Sequence, residues 1–189
     1  MADSPSSSLW SRPHDFFATA HPSAAACFRR TRWDALCRIA EEVNGGGVGC
    51  VALDLVAGGG KHVVRLVEFE DGTRWAARVR IKPSVPVVGT EGVGRGVEEG
   101  GGGRVSTDAG MGMDLGRLEL EAEVGVMGFI RANSALPVPR VLAYSADEEN
   151  PVGAAYMLME VLPGTVAMDA LGGHKVYRGV IAREHRPTV

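Results

Sequence analysis

The sequence lacks a long apolar run: no segment approaches the roughly 20 consecutive apolar residues that a membrane-spanning helix requires. The N-terminus also lacks the basic and then apolar pattern of a secretory signal peptide, because Asp3 is followed by a Ser-rich stretch. We therefore expect a cytoplasmic protein with no membrane partner.

Cysteine is scarce as well. Cys27, Cys37 and Cys50 are odd in number, and no two of them stand in a C-x-x-C pair. This argues against a disulfide framework and against a zinc site. The sequence predicts buried free thiols and no metal site.

An excess of positive charge is also absent, since the formal net charge is -3. Nucleic-acid binding through the phosphate backbone uses a broad basic surface, so we expect no nucleic-acid partner. The 189 residues are 45% hydrophobic, which suits one ordinary domain with a sizeable core.

Residues 1–26 are rich in Ser, Pro and Ala and show no sustained apolar period, which predicts a disordered leader. From residue 31 the pattern changes, because apolar side chains recur at helical intervals, at Trp33, Leu36, Cys37, Ala40 and Val43. This spacing predicts an amphipathic helix that ends at residues 44–47, an Asn followed by three Gly.

Three strand-like segments follow, at residues 51–56, 63–69 and 75–81. Gly58–Gly60 and Asp71–Gly72 separate them, and an Asp-Gly pair favours a two-residue hairpin because both central positions need positive φ. These features predict an antiparallel meander.

The second half begins with a Gly-rich stretch at 89–112, which predicts a disordered insertion. A helical period resumes over 118–130, and a second hairpin is predicted over 140–144 and 155–160. Residues 171–189 show no clear apolar period and are expected to form an irregular tail. The order predicts an α+β fold: an N-terminal helix, then a five-stranded antiparallel sheet with one helix packed on it.

The third strand carries the first candidate site residues. Side chains alternate along a strand, so Ala76, Arg78 and Arg80 share the open face, opposite the apolar residues of the core face. Ala76 leaves room for a flat base, and Arg78 can reach phosphate oxygens. The alternative is an ordinary solvated arginine on a half-exposed strand.

The helix after the insertion carries three carboxylates, Glu119, Glu121 and Glu123, and one of them could pair with Arg78. Glu123 is favoured because it adjoins the inward-facing apolar residues, whereas the alternative makes all three a solvated first turn. Separately, the Gly58–Gly60 turn allows a backbone to approach a ligand closely, with N–H groups directed at phosphates.

Several segments in fixed order resemble the aminoglycoside phosphotransferase family, especially its fungal branch. They are GGGKHVV at 58–64, DGTRWAARV at 71–79, EVxVMxFIR at 123–131, LPVPRV at 136–141, NPVG at 150–153 and YMLMExxPG at 156–164. The resemblance covers about residues 31–170, which would form one lobe.

The resemblance implies a protein-kinase-like fold in which ATP lies beneath the sheet of the N-terminal lobe. It assigns the phosphate-reaching cation to Arg78, with Arg80 as the alternative, and the pairing carboxylate to Glu123. Gly58, Gly59 and Gly60 would begin the loop over the phosphates. Glu160 and Leu162 would offer backbone groups to adenine, and Met159 would stand at the back of the pocket.

The sequence departs from the family after Gly164. A working member of the family continues with a catalytic Asp in a His-Gly-Asp-type loop and with magnesium ligands, none of which follows here. We therefore expect no catalytic residues and no turnover in this chain, which would be the lobe of a truncated phosphotransferase. Magnesium is expected only in a full-length form.

Two functions compete at this point. The first is the nucleotide-binding lobe of an enzyme that phosphorylates a small-molecule hydroxyl. The second is a non-catalytic module whose uncovered surface binds a partner protein.

Overall fold

The computed structural model describes residues 10–82 and 115–164. The predicted insertion at 89–112 and the predicted tail at 171–189 lie outside these residues. The described part is an α+β fold of four helices and five strands, in the order α1 (Pro13–Thr19), α2 (Pro22–Arg30), α3 (Trp33–Val43), β1 (Cys50–Gly58), β2 (His62–Phe69), β3 (Arg74–Arg80), α4 (Leu115–Asn133), β4 (Val141–Ser145) and β5 (Tyr156–Glu160).

The five strands form one sheet in the order β1-β2-β3-β5-β4, and every neighbouring pair is antiparallel. The predicted five-stranded antiparallel sheet is thus confirmed. β5 pairs with both β3 and β4, so the last hairpin joins the meander through its second strand.

The hairpin between β2 and β3 is longer than the sequence predicts. Phe69 N–H donates to Thr73 O at 2.9 Å, so three residues form the loop instead of two. Gly72 takes the positive φ, at 84°, as the last residue of that loop. The Asp71 carboxylate accepts a hydrogen bond from Thr73 N–H at 2.8 Å, which favours this longer turn.

The first face of the sheet is packed by α1, α2 and α3, and we call it the closed face. Leu36 and Ala40 of α3 are fully buried there, against alternate side chains of β2 and β3. The predicted α3 helix and the predicted core face of the third strand are therefore confirmed. The strand residues in the core of the closed face include Val63, Val67, Phe69, Trp75, Ala77 and Val79.

The prediction of a disordered leader over residues 1–26 is wrong from Pro13 onward, because α1 and α2 are folded there. Phe16 is buried with 6% of its surface exposed, and Cys27 is buried beside it in the same core. Helices of seven and nine residues show too few turns for an apolar period. Their first residues, Pro13 and Pro22, also resemble breakers in the sequence although proline is favoured at a helix start.

The second face of the sheet is only partly covered, by α4, and we call it the cavity face. Leu120 of α4 is buried against Met157 of β5, with Val124, Met127 and Met159 packed around them. No helix in the described ranges is long and apolar enough to cross a membrane.

Candidate functional site

A cavity of about 620 Å³ opens on the cavity face, a volume suited to a small-molecule ligand. Its floor is built by alternate residues of two neighbouring strands, because only every second side chain points to this face. The lining residues on β2 are His62, Val64 and Leu66, and those on β3 are Ala76 and Arg78. The remaining wall comes from Trp10, residues 57–61 and Glu160–Leu162.

Arg78 is held at the edge of this cavity by two neighbours. Its Nη1 donates to the Glu123 carboxylate of α4, across 45 residues of sequence. Its Nη2 lies 3.1 Å from Nδ1 of His62. Both side chains of the ion pair are partly buried, so solvent screens the pair less than it screens a fully exposed ion pair. The structure therefore brings Arg78 and Glu123 together as the sequence predicted.

His62, the second neighbour of Arg78, is uncharged at neutral pH. Burial and, after it, the nearby Arg78 guanidinium lower its pKa to about 4, against smaller opposing effects of Glu123 and Glu119. At neutral pH the unprotonated ring nitrogen can therefore accept a hydrogen bond from Arg78. Sequence reasoning missed this role, since the contact depends on the register in which β2 pairs with β3.

Arg80, the alternative cation, points elsewhere. Its guanidinium lies so close to Gly116 at the start of α4 that a Cβ there would overlap it. Its Nη2 is 3.6 Å from the Glu119 carboxylate, which also pairs with Lys61. Lys61 lowers the pKa of Glu119, chiefly through this hydrogen bond. Of the two arginines only Arg78 lines the described cavity.

The three glycines of the β1–β2 turn have different surroundings. A Cβ on Gly58 would stand 2.6 Å from Cε2 of Phe16, so α1 itself requires a glycine at this position. Gly59 and Gly60 have no such neighbour within 4 Å. The N–H of Gly59 donates to His62 O at 3.0 Å and closes the turn. Gly59 therefore lines the cavity without a side chain, and its N–H is bonded to His62 O instead of facing a ligand.

The predicted adenine-contacting residues occupy the far side of the cavity. Glu160 and Leu162 line the cavity. Met159 is paired with Ala76 of β3, and its side chain packs into the cluster around Leu120 of α4 and Met157 of β5. The N–H of Glu160 donates to Arg140 O at 3.0 Å, so any ligand contact by this backbone falls to its carbonyl.

The side chain of Glu160 organises the segment before β4. Its carboxylate accepts a hydrogen bond from Arg140 N–H at 2.9 Å and lies 3.3 Å from Nη1 of Arg131. The carboxylate is therefore directed away from ligand binding and toward the connection between α4 and β4.

Trp10 is the lining residue that sequence reasoning placed in the disordered leader. The next residue, Ser11, forms an isolated antiparallel bridge with Val56, with N–H to O distances of 2.8 and 2.9 Å in the two directions. This bridge brings the segment before α1 to the outer edge of β1. An aromatic residue in an otherwise polar and small-residue stretch was the available signal.

Comparison with known proteins finds short stretches of similarity. The chain is 58% identical over 43 residues, 23% of its length, to a subtelomeric hrmA-associated cluster protein of two Aspergillus fumigatus strains. It is 40% identical over 50 residues to a Candida tropicalis protein named altered inheritance of mitochondria protein 9, mitochondrial. The matched stretch spans 8% of the length of each of these relatives. No family model and no solved structure matches the chain.

Proposed function

We propose that the described lobe binds ATP in the cavity beneath Gly58–Gly60. It would be the N-terminal lobe of a kinase-like phosphotransferase that resembles the aminoglycoside phosphotransferase family. The complete enzyme would move the γ-phosphoryl group to a hydroxyl of a small molecule. The observation that carries the proposal is the Arg78–Glu123 pair, which presents a fixed cation to a cavity of suitable volume.

The charges of the site suit a triphosphate at one end of the cavity. Arg78 has further N–H donors beyond those that face Glu123 and His62, and Lys61, whose ammonium pairs with Glu119, lines the same cavity. A phosphate there would be held by two cations, and catalysis in this reaction class consists mainly of such positioning and charge neutralisation. Ala76 and the carbonyl of Glu160 would face the base at the other end.

Binding without turnover is the expected behaviour of this chain. Among residues 10–82 and 115–164 no three His, Cys, Asp or Glu side chains lie together in a way that could hold a metal ion. Magnesium would therefore enter with the ATP phosphates, and its protein ligands would belong to the second lobe of a complete enzyme. Phosphoryl transfer by the purified chain would contradict this part of the proposal.

The test is calorimetric titration of the 189-residue chain with ATP and magnesium. Arg78→Ala is expected to weaken binding about tenfold or more, because a charge-assisted hydrogen bond contributes roughly 1.5–3 kcal/mol. Arg38→Ala is the matched control: Arg38 lies on the solvent side of α3, away from the cavity, and pairs with Asp34 four residues away. Its removal is expected to leave the affinity unchanged.

A folding defect must be separated from a binding defect, since Arg78→Ala leaves Glu123 without its cation. Arg78→Lys keeps the charge and serves as the second variant, expected to bind more tightly than Arg78→Ala. Thermal unfolding of each variant reports its folded fraction. A folded wild-type chain that does not bind ATP would refute the proposal.

The competing function, a protein-interaction module, is favoured by one surface. Three large apolar side chains stand exposed near the end of α4 and just beyond it, namely Val126, Phe129 and Leu136. Phe129 has 68% of its surface exposed. Such a patch would be covered by a second lobe or by a partner protein. A monomeric chain that binds no hydrophobic dye would count against the module.

The location in the cell is a separate part of the proposal. The sequence predicts a cytoplasmic protein, whereas the printed name of the Candida tropicalis relative contains the word mitochondrial. We propose the cytoplasm. A fluorescent fusion found in mitochondria would contradict this.

A further inference from the structure

The cavity has a wall that neither the strands nor the Gly58–Gly60 turn supplies. Of the described residues that line it, Trp10 alone carries an indole or phenyl ring. The other apolar lining residues are alanines and aliphatic side chains, such as Val64 and Leu66. A flat π surface in such a cavity is suited to a planar, heteroaromatic ligand group.

The position of Trp10 is fixed by its neighbours along the chain. Ser11 forms both backbone hydrogen bonds of its bridge with Val56, which is fully buried. Pro13 then starts α1, and Phe16 of that helix packs on Gly58. The backbone next to Trp10 is therefore paired with the stretch of β1 that leads into the glycine turn.

The chemistry of the cavity divides into two parts. Lys61 and Arg78 provide cations for an anionic group, whereas Trp10 and the aliphatic floor provide apolar and aromatic surface. A nucleotide has both groups, and its base has a π-face on which an indole can stack whatever its substituents. A polyphosphate without a base would use only the cations.

We propose that Trp10 is a base-stacking wall of the nucleotide site, so that a residue from before α1 is part of that site. This inference rests on the proposed ATP binding and adds a residue from outside the predicted lobe. It also states how the ligand would be selected: the cations would accept any polyphosphate, and Trp10 would favour those that carry an aromatic base.

The experiment titrates the 189-residue chain with ATP and, separately, with inorganic tripolyphosphate. Trp10→Ala is expected to weaken ATP binding about tenfold and to leave tripolyphosphate binding within about twofold. Arg78→Ala is expected to weaken both ligands. Trp10→Phe keeps a ring and is expected to retain most of the ATP affinity, which a role in backbone packing alone would not predict.

Fluorescence gives an independent measurement. The chain contains three tryptophans, at positions 10, 33 and 75, and the last two pack at the closed face. ATP is expected to quench the emission of the wild-type chain and to lose that effect in Trp10→Phe. Thermal unfolding of both Trp10 variants shows whether they keep the fold.

The outcomes separate this inference from the proposed function. ATP binding that Trp10→Ala leaves unchanged would overturn the stacking role while the ATP site stands. ATP binding that becomes tighter in Trp10→Ala would also overturn it, because the indole would then fill the cavity and compete with the ligand. A wild-type chain that binds tripolyphosphate and ATP equally would contradict any contribution from a base. Failure of ATP binding in the wild-type chain would remove both proposals together.

Discussion

The two faces of the same sheet differ in what they do with charge. On the closed face the side chain of Arg65 is mostly buried. Its Cζ lies 5.3 Å from the ring centre of Phe28 and 5.4 Å from the ring centre of Trp33. Its Nε donates to the carbonyl of Leu53, and its Nη2 donates to the carbonyl of Ala52 and the carboxylate of Asp54. On the cavity face Arg78 is held by Glu123 and His62 and borders a space large enough for a ligand.

The difference indicates where to search for function in a small sheet protein. A buried arginine whose hydrogen bonds and ring contacts lie within its own fold contributes to structure. An arginine that is fixed by a carboxylate and still borders a cavity is available to an anion.

The largest effect is expected at the closed face. Leu36 is fully buried in α3, and Leu36→Ala should lower the free energy of unfolding by about 2–5 kcal/mol, because it leaves a cavity in the core. Chemical denaturation measures the loss. Val43→Ala on the same helix is the control, since Val43 is 41% exposed and should cost far less. A loss below about 1 kcal/mol for Leu36→Ala would contradict the packing described.

The next effect lies where the two faces meet, at Gly58. Gly58→Ala places a methyl group against the Phe16 ring and should lower the free energy of unfolding by about 1–3 kcal/mol through overpacking. Gly59→Ala has open space and should be close to neutral. Combining Gly58→Ala with Phe16→Leu should recover part of the loss. Equal costs for Gly58→Ala and Gly59→Ala would show that Phe16 is not the cause.

Acidification should lower the free energy of unfolding, because His62 on the cavity face becomes protonated. Its folded pKa of about 4 lies below the ordinary histidine pKa of 6.5, so the unfolded chain binds the proton more readily. The stability that depends on neutral His62 is complete above about pH 6.5 and is lost as the pH falls toward 4. Arg78, Arg80, Glu119 and Glu123 all act on this ring.

As the pH is lowered from 7 to 4, the free energy of unfolding should therefore fall less steeply in His62→Asn than in the wild-type chain. His14→Asn is the matched control, because the His14 side chain is 94% exposed. The carboxylates that titrate in the same range are common to all three chains and cancel in the comparison. Identical pH profiles for His62→Asn and the wild-type chain would rule out the role of His62 beside Arg78.

The smallest effect is expected at Arg38, on the solvent side of α3. Its ion pair with Asp34 joins side chains that are more than 60% exposed. Such a pair contributes only about 0.3–0.5 kcal/mol, so Arg38→Ala should barely change thermal unfolding. A cost above about 1 kcal/mol would mean that charge on this helix matters more than exposure indicates.

Much of the fold could be predicted from sequence because its signals are local. The alternation in β3 correctly divided Trp75 and Val79 from Ala76 and Arg78, and the glycines after α3 correctly ended that helix. Glu123 was correctly chosen as the partner of Arg78, because its apolar neighbours placed it toward the sheet. The nucleotide roles given to these residues stay predictions.

The features that sequence missed depend on contacts between distant segments. The first two helices are stabilised by packing on β1 and β2, which their own short sequences do not reveal. Trp10 reaches the cavity only because Ser11 pairs with Val56, and His62 meets Arg78 only through the strand register. Neither contact leaves a periodic signal in the chain.

The most direct test of the central claim is a map of backbone amide chemical shifts during titration with ATP and magnesium. A nucleotide site in the cavity should give saturable shifts on the cavity face, at Gly60, Ala76, Arg78 and Leu162, and none on the closed face at Leu36 or Ala40. Shifts confined to α3, or no shifts in a folded chain at millimolar ATP, would contradict a nucleotide site between the glycine turn and Arg78.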